Sequence, residues 1–306
     1  MRQVAHIVDG TWLAVASYYS TPQADGLRDR SGHPTNALYG MLQYLSNQQD
    51  EETPDYLHVV FDPETRMSGW RKRLYREYKA NRKPHPNDLT YQRNEAPTLC
   101  KAVGLPVHVA RPGDEADDLV ATLCHHYTHA GVDCVIHSVD SDFWQLIQGP
   151  NGGINDPRGA VYMWDRLHRC LWTPESVQAK TGVPPHLIAD WKALGGCKAD
   201  NIPGVTGVGP VSAAMMLRRH GSLDHLKVAL LQQGNVVSSR ERAVLQCRNL
   251  RVFAKITRLH NNCPLDTMML DIREPASLKG VLFTFKEYGF DKGPSLDDSC
   301  TLRKEA

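Results

Sequence analysis

Residues 134–142 read Cys134-Val135-Ile136-His137-Ser138-Val139 and then Asp140-Ser141-Asp142, a short apolar run that stops on two acids. A run of four to eight such residues between polar boundaries predicts a buried strand. The pattern recurs at residues 4–8, which end on Asp9, and at residues 56–61, which end on Asp62; a fourth strand is predicted at residues 107–110. Between them lie stretches with helical spacing. Residues 36–45 carry Leu38, Met41, Leu42 and Leu45, and residues 119–127 follow a proline, a glycine and a run of acids suited to a helix start. Strands alternating with helices predict an α/β fold with a mainly parallel central sheet flanked by helices. After Thr173 the chain is broken by Pro184-Pro185 and by glycines across residues 195–209, then turns helical. A domain change is therefore expected near residues 170–185, dividing the chain into 1–175 and 176–306.

The 306 residues carry 35 Lys and Arg against 34 Asp and Glu, a net charge of +1, which excludes a polybasic or acidic tail protein. With 41% hydrophobic and 23% charged residues the composition is that of an ordinary globular chain. No apolar run approaches the roughly 18 residues of a membrane helix. The first ten residues lack the marks of a signal peptide, and Asp9 interrupts their apolar run, so a cytoplasmic protein is expected. Eight cysteines stand without a C-x-x-C pair, which favours reduced structural thiols over a disulfide framework or zinc site.

The acids decide the chemistry. Asp9, Asp62, Asp140 and Asp142 each follow a strand, and Asp114-Glu115-Ala116-Asp117-Asp118 opens a helix. Aspartate often ends strands in turns and suits helix N-termini, so each site alone is unremarkable chemistry. Together they line one edge of the sheet, where open parallel sheets bind ligands. Two carboxylates 4 Å apart repel by about 4 kcal/mol at an effective dielectric near 20. Such a cluster calls for cations, and hard oxygen ligands suit Mg²⁺ or Mn²⁺, which in pairs promote phosphodiester cleavage.

A basic stretch follows Asp62. Arg66, Arg71, Lys72, Arg73, Arg76, Lys79, Arg82 and Lys83 face one acid, Glu77. On a helix, Tyr78 and Arg82 share a face with Lys79, so a ring and two cations meet one ligand; aromatic stacking beside phosphate-binding cations is how single strands are held. The alternative is a solvated basic face with Trp70, Leu74 and Tyr78 as its buried stripe.

These segments resemble the structure-specific 5′ nucleases, the family of the 5′ nuclease domain of bacterial DNA polymerase I, phage 5′-3′ exonucleases and flap endonucleases. The matching residues are Val8-Asp9-Gly10, Phe61-Asp62, Arg71, Tyr78-Lys79-Ala80-Asn81-Arg82-Lys83-Pro84, Glu115-Ala116-Asp117-Asp118, Asp140-Ser141-Asp142, and Asp200-Asn201-Ile202-Pro203-Gly204-Val205-Thr206-Gly207-Val208-Gly209-Pro210. They follow the family's order over residues 4–220. The resemblance implies a PIN-like nuclease domain, a helical arch at residues 77–105 that passes a 5′ single strand, and a helix-three-turn-helix around residues 195–220. It implies that Asp9, Asp62, Glu115, Asp117, Asp118, Asp140, Asp142 and Asp200 hold Mg²⁺ or Mn²⁺ in two sites. Lys79 and Arg82 would neutralise the scissile phosphate, Tyr78 would stack on the terminal nucleotide, and Arg71 and Lys83 would contact DNA. Gly204, Gly207 and Gly209 would let backbone amides approach duplex phosphates ahead of a helix N-terminus, with K⁺ bridging there. The implied reaction is in-line hydrolysis near 5′ flaps, overhangs or ends that leaves a 5′-phosphate, in DNA replication and repair. The implied substrates extend to RNA–DNA hybrids, and the implied protein is a monomer in a bacterial or phage-infected cell.

The sequence departs from the family at two places. Where the pattern has Gly-Asp-x-x-Asp-Asn, this chain has Gly196-Cys197-Lys198-Ala199-Asp200-Asn201, and a thiol is a poor ligand for Mg²⁺. The second metal site is expected to be weakened, with Lys198 either supplying compensating charge or pointing to solvent. After Gly209-Pro210 the family's usual lysine is replaced by Val211-Ser212, removing one phosphate contact. The alternatives are a weakened or inactive flap-binding homologue and an RNA-cleaving PIN-like enzyme; the latter does not require the basic segment or the glycine turn. No polymerase domain is expected after Pro210. Arg240, Arg242, Arg248, Arg251, Lys255 and Arg258 would extend the duplex surface or form a solvated face, and His125, His126 and His129 read as surface or satisfied histidines.

Overall fold

The computed structural model describes residues 2–22, 27–52, 54–64, 69–150, 158–232, 238–272 and 288–290. Arg66 and Cys300 lie outside them. The first half runs β1 Val4–Asp9, α1 Gly10–Ser20, α2 Asn36–Glu52, β2 Tyr56–Phe61, α3 Trp70–Leu74, α4 Asn87–Ala102, β3 Val107–Val109, α5 Ala116–His129, β4 Asp133–His137, β5 Val161–Asp165 and β6 Cys170–Trp172. Helices follow: α6 Pro174–Thr181, α7 Ile188–Gly195, α8 Pro210–His220, α9 Leu223–Gln232, α10 Ser239–Gln246, α11 Leu250–Thr257 and α12 Thr267–Leu270.

The strands form one sheet in the order β3-β2-β1-β4-β5-β6. Every pairing is parallel except β5 with β6. Strand β1 lies between β2 and β4, with Val8 opposite Val59 on one side and His137 on the other. The strand order reverses there, so the β1 and β4 ends flank the crevice in which open sheets bind ligands. Both faces of the sheet are covered, which is why these strands read as continuous apolar runs: all six residues of β2 are buried. Ala5, Ile7, Cys134 and Ile136 pack with α5 and the C-terminal helices, whereas Val8, Leu57 and Val59 pack with the α1, α2 and α4 side. The first core continues without a break into Ala193, Leu217 and Phe253, so the helical half is built onto the sheet.

The two outer strands were not anticipated. Strand β5 alternates buried and half-buried residues and β6 has three residues, so neither presents a continuous apolar run. The basic segment is corrected more sharply: the expected helix stops after Leu74, and residues 76–81 are turns with Lys79 at φ +54°. The cause is docking onto the loop after α7. Lys79 N donates to Asp200 O at 2.9 Å, Asn201 Nδ2 to Glu77 O at 2.8 Å and Asn81 Nδ2 to Lys198 O at 2.9 Å. Asn201 is itself left-handed at φ +57°. The expected buried stripe fails with the helix, since Leu74 is exposed. Within the expected arch, α4 buries Leu89, Ala96 and Leu99, and Gln92 Oε1 accepts from Ala37 N of α2 at 2.7 Å.

Two glycines are fixed by close approach. A Cβ on Gly10 would stand 2.6 Å from the Phe61 ring, so α1 can start beside β2 only without one. Gly204 has φ +71°, and a Cβ there would lie 2.4 Å from Gly196 N.

The sheet also carries a polar layer on each face. On one, His137 bridges Tyr44 Oη at 2.7 Å and His6 at 3.2 Å; on the other, His58 joins His108 at 3.0 Å and Tyr127 Oη at 2.5 Å. Burial drives His6 and His108 down to about 4 and His58, helped by His108, to about 3; it also takes His137 well below the usual range. These rings are neutral structural groups at pH 7.

Candidate active site

Each acid at the crevice is aimed by local structure. Asp9 caps α1, its Oδ1 accepting from Trp12 N at 2.9 Å, while Ser138 Oγ donates to Oδ2 at 3.1 Å. Asp62 is held by its amide donating to Thr11 Oγ1 and its Oδ1 accepting from Ala116 N, which joins the β2 end to the α5 N-terminus. Asp117 sits on the first turn of α5. Asp140 N donates to Ser138 Oγ, and Asp140 Oδ1 accepts from Asp142 N at 2.8 Å, folding the loop after β4 into a tight turn.

Oxygens of Asp117, Asp140 and Asp142 converge within 4.8 Å of one another. Burial, with Asp62 and Asp140 nearby, pushes the Asp9 carboxyl up to about 7. Burial and the neighbouring acids Asp140, Asp9 and Glu115 raise Asp117 well above the carboxylate range, and burial and Asp142 raise Asp140. Carboxylates with elevated proton affinity in one cleft are those a cation would discharge. The donor set is all oxygen, which fits a hard divalent ion.

Cations line the opposite wall. Lys79 Nζ donates to Glu115 Oε2 at 3.0 Å and lies 4.0 Å from Asp200; Arg82 Nη2 donates to Asp200 Oδ1 at 3.1 Å. Both are raised by these acids despite burial. Burial and Asp142 take Asp200 up to about 6. A cleft of about 280 Å³ opens between Asp62, Lys72, Tyr78, Lys79, Arg82 and Glu115.

Three expected site residues, Arg71, Asp118 and Tyr78, are buried. Arg71 and Asp118 are 2% and 1% exposed, and Arg71 Nη1 and Nη2 each donate to an Asp118 oxygen at 2.7 Å. His260 N also donates to Asp118 Oδ1 and Arg71 Nε to Ile256 O, tying α3 and α5 to α11. Both Asp118 oxygens are thus engaged by the Arg71 guanidinium in a fixed pair. Tyr78 is 5% exposed and donates its hydroxyl to Glu115 Oε2 at 3.1 Å, and it lines the cleft beside Lys79 and Arg82. Lys83 is exposed. Gly204 and Gly207 take positive φ in the turn before α8; Gly209 caps α8 without a side-chain hydrogen bond, leaving first-turn amides available.

Sequence reasoning missed Lys192. It stands on α7 among Ile188, Ala189 and Ala193, 4% exposed, with Nζ paired to Asp142 Oδ1 and donating to Ser141 Oγ at 2.8 Å. Burial would raise Asp142, yet this ammonium brings it below the ordinary carboxylate range. The signal was available: lysine on the buried stripe of a helix is almost never unpaired. Lys198, considered for that role, is exposed. Cys197 is a neutral thiol, pushed by burial and Asp200 up to about 11, and its Sγ donates to Asp200 Oδ2 at 3.6 Å.

Residues 4–182 match the model for the 5′-3′ exonuclease N-terminal resolvase-like domain, and residues 183–277 that for the 5′-3′ exonuclease C-terminal SAM fold. The chain belongs to the 5′-3′ exonuclease family. Over 221 residues it is 35% identical to a 5′-3′ exonuclease of Aquifex aeolicus, covering 72% of this chain and 71% of that one. It is 32% identical over 273 residues to DNA polymerase I of Caldicellulosiruptor bescii, covering 87% of this chain and 30% of the polymerase. Among solved structures, T5 5′-exonuclease with bound zinc shares the fold at TM-score 0.61 and 18% identity, over 95% of this chain and 96% of that chain. The catalytic core of Rad2 with DNA substrate does so at TM-score 0.58 and 16% identity, over 99% and 92%. As an exonuclease-family member the chain is a nuclease whose acidic cluster suits divalent metal. No helix among the described residues is long and apolar enough to cross a membrane.

Proposed function

We propose that this protein is a divalent-metal-dependent 5′-3′ exonuclease and flap endonuclease that hydrolyses DNA phosphodiesters near 5′ ends or single-strand/duplex junctions. The observation that carries the reading is that Asp117 and Asp140, whose proton affinities are raised, lie within the field of Lys79, which lines a cleft with Arg82, Asp62 and Glu115. Acids alone would repel a polyanion, and cations alone would only bind it. Together they fit a phosphodiester brought to a metal.

Asp9, Asp62, Glu115, Asp117, Asp140 and Asp142 would hold Mg²⁺ or Mn²⁺, directly or through water. Bound, the ion supplies charge neutralisation at the phosphoryl oxygens and a lowered pKa for the attacking water. Lys79 and Arg82 orient the scissile phosphate and offset the charge that develops on its oxygens. Water oxygen forms the new bond to phosphorus, the bond to the 3′ oxygen breaks, and that oxygen takes a proton, leaving a 5′-phosphate on the other product. The turn carrying Gly204, Gly207 and Gly209, with the uncapped start of α8, holds a duplex phosphate, with K⁺ as its counterion. Lys83 extends the basic wall. Such contacts go to the backbone, so the enzyme selects structure over sequence and accepts RNA–DNA hybrids. It works as a monomer, in the cytoplasm.

The test is a 5′-flap DNA labelled at the 3′ end of the flap strand, with Mg²⁺, Mn²⁺ or EDTA and Asp140→Asn as control. Cleavage near the junction should need metal and vanish in the variant; cleavage surviving EDTA would sink the reading. A second reading, a homologue that binds flaps without cutting, is favoured by the neutral thiol of Cys197 at an expected acidic position. Tight flap binding with no cleavage under either metal would select it.

A further inference from the structure

The loop after α7 closes on itself before it meets the basic segment. Cys197 N donates to Ile202 O and Ile202 N to Cys197 O, both at 2.8 Å, which leaves Lys198, Ala199, Asp200 and Asn201 as a short tip. That tip grips residues 77–82. Its carbonyls accept from Lys79 N, at Asp200 O, and from Asn81 Nδ2, at Lys198 O, each at 2.9 Å; its side chains contribute Asp200 Oδ1, which accepts from Arg82 Nη2 at 3.1 Å, and Asn201 Nδ2, which donates to Glu77 O at 2.8 Å.

The grip falls on an unfavourable turn. Ala80 N donates to Glu77 O at 3.1 Å, so residues 77–80 form a reverse turn with Lys79 in its third position at φ +54°. Glycine or asparagine is usual there, and a lysine held left-handed persists only where its surroundings over-determine it. The Asn201 amide does this by donating to the same carbonyl that closes the turn, and its own φ of +57° is one that asparagine tolerates better than most side chains. The turn then fixes both cations of the cleft. Lys79 Nζ is delivered to within 3.0 Å of Glu115 Oε2, and Arg82 N closes the next turn onto Lys79 O at 3.3 Å. Asn201 itself lies outside the residues that line the cleft.

We propose that Asn201 is a positioning residue for the nuclease reaction: through the carbonyl of Glu77 it holds the turn that presents Lys79 and Arg82 to the scissile phosphate. The inference rests on the nuclease reading above and deepens it.

The variant that tests it is Asn201→Gly, which adopts the left-handed backbone freely and removes the amide without adding charge. The lost hydrogen bond lies at the surface, so the urea midpoint and the Kd for a 5′ flap in EDTA should stay close to wild type. Single-turnover cleavage of the bound flap with Mg²⁺ should slow about 10- to 100-fold, the scale of loss from a displaced active-site group. Hydrogen exchange at the Lys79 amide should quicken in the free protein, which reads the turn without metal or DNA. Combined with Arg82→Ala, the rate losses should fall short of multiplying, because one acts through the other. Should the glycine variant not fold, Asn201→Asp, which keeps the shape but has no proton to donate to Glu77 O, carries the same expectations. A folded variant that cleaves at the wild-type rate would overturn the proposal, as would losses that multiply in full. Wild type that does not cut at all would instead overturn the nuclease reading and the proposal with it, so the two failures are distinguishable.

Discussion

Asp117 and Asp118 are neighbours on the first turn of α5, the first half-buried and the second buried, and they have opposite fates. One residue of helix turns the side chain by about 100°, which sends Asp117 into the cleft among like charges and Asp118 backward onto Arg71. At these two positions the fold supplies a fixed cation to the acid that serves the scaffold and leaves the other without an ion-pair partner.

Breaking the fixed pair should have the largest effect. Asp118→Ala leaves the Arg71 guanidinium buried beneath α11 with only Glu115 Oε2, at 3.5 Å, as a remaining acid, and removing one partner of such a pair costs about 3–5 kcal/mol. The urea midpoint should fall accordingly; a loss under 1 kcal/mol would show that water reaches Arg71. Asp117→Asn, one residue away, should leave that midpoint unchanged or raised while abolishing metal-dependent flap cleavage.

The pH dependence sharpens the contrast between acids and histidines. Asp9 has its folded value raised from 3.8 to about 7, so its penalty is absent below the unfolded value and complete above pH 7. Without metal, this group makes stability fall as pH rises from about 4 to 7, by up to about 4 kcal/mol. Asp9→Asn, or saturating Mg²⁺, should flatten that limb. The buried histidines act in the other sense: their folded values lie below 6.5, so the unfolded chain binds protons first and stability drops as pH falls through 6.5 toward 4. Thermal melts of the metal-free protein between pH 4 and 9 should show an interior maximum. A monotonic rise would place the Asp9 value near that of a free carboxylate.

The strand-end acids were legible because a period-one apolar run followed by aspartate places the carboxylate at the sheet edge whatever the loop does next. Asp9, Asp62 and Asp140 could be read that way, and Cys197 could be seen as a departure. What could not be read was partnership across distance. Arg71 looked like one more member of a basic stretch, yet Asp118, 47 residues on, and the carbonyl of Ile256 in α11 claim it. Tyr78 matched a helical spacing that vanishes because the loop at 198–201 pulls residues 76–81 into turns and Lys79 to a positive φ. Propensity cannot anticipate a turn imposed by another loop. Lys192 was hidden in plain view on an apolar helix stripe.

The smallest stability effect should come at the mouth of the cleft. The Arg82 side chain is 42% exposed, and its pair with Asp200 is open to solvent on one side, where such pairs contribute about 0–1 kcal/mol. Arg82→Ala should therefore shift the urea midpoint by no more than that, in contrast to Asp118→Ala, although both remove one half of an ion pair. Its effect should appear in single-turnover flap cleavage instead, because the lost guanidinium faces the cleft where a phosphate must sit. Stability loss comparable to Asp118→Ala, with cleavage intact, would mean that Arg82 belongs with the scaffold cations and that the division between fixed and functional charge lies elsewhere in the cleft.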